Sequence, residues 1–223
     1  LKAGLEIARG DAKWLDLDII VSSILDIRNP VSESRRKFLN QVNAAEDSWI
    51  SRKEWDSCQS SVVLKPGDKI TLGFDGSKSN DHTALCACRI EDGAIFLLNT
   101  WNPEKQPGGA IPRESVDAAV RSAFERYNVV GFRADVHEFE SYVDEWGKDF
   151  KRVVKVKASP NNPVAFDMRG QKKRFALDCE RFLDAVLEQE LTHDGNPRLR
   201  WYIGNAQRHP TNYDAVSIRK ESK

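Results

Sequence analysis

The stretch ITLGFDGSKSNDHTALCACRIEDGAIFLLNTW, residues 70–101, decides how the chain folds. Its runs 70–75, 83–90 and 94–101 are short, apolar and rich in β-formers, and the turn residues Glu91-Asp92-Gly93 join the last two as a hairpin. Successive short connections predict three antiparallel strands. The first run ends on an acid, Asp75, followed by small polar residues. A buried strand that stops on a carboxylate is either entering a turn or aiming that carboxylate at something.

Downstream the grammar changes. Residues 113–127 place Val116, Ala119, Val120, Ala123, Phe124 and Tyr127 on one helical face, with Pro112 suited to the helix start. VVGFRADV, residues 129–136, is nearly continuously apolar, as a strand covered on both faces should be. Phe139, Tyr142, Val143 and Trp146 mark a further helix, and RVVKVKA, residues 152–158, reads as another strand. SPNNPVAFDMRGQ, residues 159–171, reads as an exposed loop, and 172–190 as a long helix. THDGN is expected to be a turn that exposes His193, with strands at 199–203 and 215–218. Antiparallel strands followed by β-α-β units predict an α/β fold of the ribonuclease H-like order: a mixed sheet, three antiparallel strands then parallel ones, flanked by helices.

In that topology the first strand and the first parallel strand are central neighbours. Asp75 ends one and Asp135 ends the other. Strands about 5 Å apart would bring the two carboxylates within reach of one divalent cation. Two acids held so close repel each other unless a cation intervenes, which points to Mg2+ or Mn2+ and to two-metal phosphodiester hydrolysis. The plainer alternative is that each Asp serves a turn or caps the next helix.

Composition narrows the class. Across 223 residues, 34 Lys and Arg balance 34 Asp and Glu, so any nucleic-acid affinity must come from local clusters. Lys172, Lys173 and Arg174 open one helix, and Arg198, Arg200 and Arg208 surround the late elements; each alone reads as a solvated surface charge, together as phosphate contacts. Cys58, Cys86, Cys88 and Cys179 form no CxxC pair, which predicts reduced core residues in a soluble, intracellular protein. Residues 1–64, rich in charge and Trp, read as a connecting arm with short helices near Phe38, Leu39 and Val42, and residues 65–223 as the main domain. The absence of an initiator Met leads us to expect a fragment of a longer protein.

GFDGSKSNDHTAL, GFRADVHEFESYVDEW and LRWYIGNAQRHPTNYDAVSIRKES resemble the C-terminal nuclease domain of the large terminase subunit of tailed bacteriophages. ARGDAKWLDLDII and RRKFLNQVNAAEDSWISRKEWD look like the segment joining that subunit's ATPase and nuclease domains. The resemblance implies a metal-dependent endonuclease that cuts concatemeric double-stranded viral DNA in the host cytoplasm. Its implied partners are the terminase ATPase domain, the small subunit and the capsid portal, with no membrane. It carries Asp75 and Asp135 as metal ligands, and Asp81 as a neighbour expected to close a turn.

There are two departures from the family pattern. No GxxxxGK[ST] occurs, so translocation is not expected of this stretch. The family's third acid sits on a helix after the segment resembling AVSIRKES, where this chain stops at Lys223; Asp214 is the candidate substitute. A non-catalytic DNA- or portal-docking module on the same fold is the alternative reading, and a resolvase or transposase a third.

Overall fold

In the computed structural model, residues 2–25, 38, 48–79, 81–211 and 216–220 are described. The chain divides into two compact units, Leu1–Trp49 and Ile50–Lys223. In the first, α1 (Lys2–Arg9) and α2 (Leu17–Leu25) bury Leu5 and Leu17, and the Lys2 ammonium meets the Asp18 carboxylate at 2.6 Å. The helix expected around Leu39 and Val42 lies outside the described residues. No described helix is long and apolar enough to cross a membrane.

The second unit is built on a six-stranded sheet: β1 (Lys69–Asp75), β2 (Thr83–Arg89), β3 (Ala94–Trp101), β4 (Asn128–Asp135), β5 (Ala165–Phe166) and β6 (Thr192–His193), in the order β5-β4-β1-β2-β3-β6. β1, β2 and β3 pair antiparallel; β4 joins β1 in parallel, and β5 and β6 extend the two edges in parallel. This is the mixed order expected from the sequence. Its helices are α3 (Arg52–Ser57), α4 (Arg113–Arg126), α5 (Glu140–Asp149), α6 (Lys172–Leu187) and α7 (Pro197–Gly204). β7 (Ala206–Pro210) and β8 (Val216–Lys220) make a separate antiparallel pair.

Alternation along β1 sends Ile70, Leu72 and Phe74 to one face, where they meet Val116 and Val120 of α4 and Val143 and Trp146 of α5 in the main core. Phe74 stands edge-on to Phe139 and Trp146, at 5.1 and 5.3 Å between ring centres. The Trp146 indole N–H is satisfied by the Asp117 carboxylate at 2.7 Å. The opposite sheet face is only half-buried where it carries Cys86 and Cys88; burial alone pushes the Cys86 thiol up to about 11. All four cysteines are free thiols.

The structure corrects several elements. Residues 199–203 are helix, because Asn196 accepts hydrogen bonds from the Arg198 and Leu199 amides and Pro197 occupies the first turn. Residues 152–158 form no strand: Val153 and Val156 are both exposed, and the segment meets β4 through an isolated bridge from Val156 to Gly131 and through the Lys155 and Val156 amides, which donate to the Val130 carbonyl. The true edge strand, β5, lies inside the segment expected to be loop. His193 is buried instead of exposed in a turn. Its ring lies flat against Trp55, 4.2 Å away; Nδ1 accepts from the Gly195 amide, so Nε2 carries the proton and donates to the Trp55 carbonyl at 2.8 Å. Helix α3 folds with the second unit, closed by a capping box in which Ser51 and Glu54 bond each other's backbone amides.

Candidate active site

Asp75 and Asp135 are the last residues of β1 and β4, which pair in parallel up to Phe74 opposite Ala134. The next residue on each strand is the acid, so the two carboxylates leave the sheet side by side, on strands about 4.8 Å apart. Both point away from the core: Phe74 and Ala134 are buried, whereas Asp75 is exposed and Asp135 half-buried. The Asp135 Oδ1 receives only long contacts from the His137 and Met168 amides, at 3.5 and 3.4 Å.

The loops after the two acids are stitched together. The Lys78 amide donates to the Glu138 carboxylate at 2.6 Å, and the Arg113 guanidinium donates to the Glu138 carbonyl at 2.9 Å. The Lys78 amide also holds the Glu138 carboxyl below its usual range. Glu138 sits at φ 65°, a left-handed conformation that costs a non-glycine residue energy and persists only where neighbours enforce it. On the other loop, Gly76 has no room for a side chain: a Cβ would lie 2.5 Å from the Phe139 ring and 2.8 Å from that of Phe74. Ser77 is tied to Thr83 in both directions, its amide donating to Oγ1 and its carbonyl accepting from it. The acids therefore emerge from a braced rim. Glu138 carries no sequence signature, since EFESY reads as an ordinary helix start; the glycine after Asp75 was the only visible hint.

The other expected residues scatter more widely. Asp81 accepts from the adjacent His82 amide, a turn contact, and the Tyr202 hydroxyl meets both His82 Nδ1 and the Thr100 hydroxyl. Arg200 grips Asp56 with two nitrogens at 2.6 Å each. Lys172, Lys173 and Arg174 are exposed at the start of α6, and the Arg174 guanidinium lies over the Phe166 ring. Beside Asp135, Asp167 is held down at about 2 by the Arg169 side chain and amide. Asp214 lies outside the described residues. Among the described residues, no cluster of three or more His, Cys, Asp or Glu side chains could hold a metal ion.

Two adjacent carboxylates are a hard-oxygen donor set. That set suits Mg2+ or Mn2+, which are commonly held by one or two protein carboxylates while water and substrate phosphate complete the shell. The fold that carries these acids recurs in known structures. The HK97 bacteriophage large terminase superposes with a TM-score of 0.60 at 18 % identity, covering 94 % of this chain and 46 % of that one. The large terminase nuclease of the thermophilic phage G20c gives 0.56 at 12 %, covering 79 % and 90 %. The fold is that of the phage large-terminase nuclease.

A G20c nuclease structure with bound magnesium also matches, at a TM-score of 0.55 and 15 % identity, covering 80 % of this chain and 90 % of that one. In sequence, the chain is 62 % identical over 235 residues to the Gene 13 protein of Mycobacterium phage L5 and 61 % identical to that of Mycobacterium phage D29. All of this chain is matched in both cases, and it spans about 40 % of the length of these curated relatives. No family model matches the sequence. On the terminase-nuclease fold, the two acids stand at the end of the sheet where the central parallel pair finishes.

Proposed function

We propose that this chain is the nuclease portion of a phage large terminase subunit, a divalent-metal-dependent endonuclease that cuts double-stranded concatemeric DNA during genome packaging. The observation that carries this reading is the emergence of Asp75 and Asp135 from adjacent parallel strands on the same sheet face. The arm toward an ATPase domain lies within residues 1–64, before helix α3, and the small subunit and capsid portal are the further partners, in the host cytoplasm. Lys172, Lys173 and Arg174 lie along the DNA path; Arg200 reaches a phosphate only by releasing Asp56.

When bound, Mg2+ or Mn2+ supplies a water-derived nucleophile at neutral pH and neutralises charge on the phosphate. The protein's own part is placement. Asp75 and Asp135 present their oxygens from two strands whose separation the ladder fixes, and the Lys78–Glu138 bond keeps the following loops from moving apart. Hydrolysis that depends on such preorganisation tolerates little displacement.

The test is nicking of supercoiled plasmid by the purified chain in Mn2+. We expect cutting that a chelator abolishes, and a loss of about a thousandfold in Asp75→Asn and in Asp135→Asn with unchanged melting. Undiminished cutting in both variants would refute the assignment.

A further inference from the structure

We propose that Arg133, Phe166 and Arg174 form a preorganised grip for the DNA backbone on the same face as the two acids, seating a phosphate next to the one being cut. The inference rests on the nuclease reading above and gives its substrate a second point of attachment.

The placement follows from strand geometry. Arg133 precedes Asp135 by two residues on β4, so both side chains leave the same face, about 7 Å apart along the strand. In the β4–β5 register Phe166 stands opposite Asp135. The guanidinium carbons of Arg133 and Arg174 both lie over the Phe166 ring, at 5.2 and 4.7 Å from its centre. One aromatic side chain beside an acid thus anchors two cations from different elements.

The surroundings are built for an anion. A cavity of about 480 Å3 is lined by Arg133, Lys173, Arg174 and Arg181, with Asp178 the only acid among its lining residues. That acid meets Arg181 at 3.6 Å, and Arg181 is 80 % exposed, so the pair neutralises little. Among the described residues no carboxylate lies within ion-pair reach of Arg133 or Arg174. Gln171 and Arg174 also line a second cavity, about 360 Å3, that includes Phe166 and Val136, the residue after Asp135. The two cavities share Gln171 and Arg174, and the one acid lining the second, Asp167, is paired with the Arg169 guanidinium at 2.7 Å.

Like charges gathered around one cavity repel unless an anion joins them, the converse of the two acids at the strand ends. Guanidinium forks suit phosphate oxygens, and stacking on the ring removes beforehand part of the side-chain freedom that binding would cost. A polyanionic strand crossing this face meets cations along β4 and α6 and a carboxylate pair where it is cut.

The experiment measures binding of a short DNA duplex to the 223-residue chain without divalent ion, across a salt series. For Arg133→Gln and for Arg174→Gln, the slope of log affinity against log salt should fall by about 0.9, the value for one lost phosphate contact. Phe166→Leu should weaken binding at every salt concentration, and Phe166→Tyr should restore it. Lys148→Gln, on α5 across the sheet, should leave the slope unchanged. Unaltered slopes in both arginine variants, or the same fall in Lys148→Gln, would overturn the grip. Plasmid nicking separates the two proposals. Intact nicking with unaltered slopes removes the grip and leaves the nuclease; reduced slopes in a chain that never nicks keep the grip and remove the nuclease.

Discussion

The two ends of β1 both gather acids, and they treat them in opposite ways. At the end where β1 begins, Arg89 stands between Asp68 and Asp92, at 3.0 and 2.7 Å, with its own side chain 13 % exposed. Each acid there also accepts a backbone amide, Asp68 from Lys65 and Asp92 from Ala94. Charge at that end is closed upon itself, and nearby the Trp55–His193 stack seals the β6 edge with both rings buried. At the end where β1 finishes, Asp135 meets two distant amides and, among the described residues, no side-chain cation at ion-pair distance. On the proposed function one end serves stability and the other a ligand, so substitutions at the two ends should separate folding from function.

The largest effect on folding should come from Trp55→Ala. It removes a fully buried ring together with the stacking surface of His193, and should cost about 3–5 kcal/mol in chemical denaturation. Asp135→Asn, by contrast, should leave the denaturation midpoint unchanged or raised, because it relieves repulsion with Asp75. A loss of stability in Asp135→Asn comparable to that of Trp55→Ala would erase the distinction between the ends.

A smaller and pH-dependent effect is expected of Arg89→Met. Its hydrogen bonds depress the Asp92 carboxyl most directly, and they join the Lys65 amide in depressing Asp68. A carboxyl depressed in the folded state contributes stability above its unfolded value, about 3.9, and loses it as pH falls through the folded value. Wild type should therefore melt above Arg89→Met at pH 7, and the gap should shrink as pH falls below the unfolded carboxyl value and both carboxyls protonate. A gap independent of pH would mean that Arg89 acts through packing, including its place over the Phe96 ring, and not through the acids.

How much was legible in the sequence follows the same division. Long periodic elements, the β1–β3 meander and helices α4 and α5, declared themselves because burial on one face imposes a repeat. Asp75 and Asp135 were legible as strand ends, and the β-α-β order made their strands neighbours. Two-residue strands such as β5 and β6 carry no period, so Phe166 was absorbed into a loop and His193 into a turn. The burial of His193 depends on a tryptophan 138 residues away, a relation that local pattern cannot contain. Helix α7 was misread because WYI suggests a strand, although the preceding Asn-Pro is a helix start. Glu138 escaped notice because its role is a backbone hydrogen bond between loops distant in sequence.

The most direct test of the account is the anomalous scattering of Mn2+ in crystals of the chain grown or soaked with that ion. We expect a peak between the carboxylates of Asp75 and Asp135, absent from crystals of Asp135→Asn. Manganese bound elsewhere, with those two side chains bearing no density between them, would contradict it.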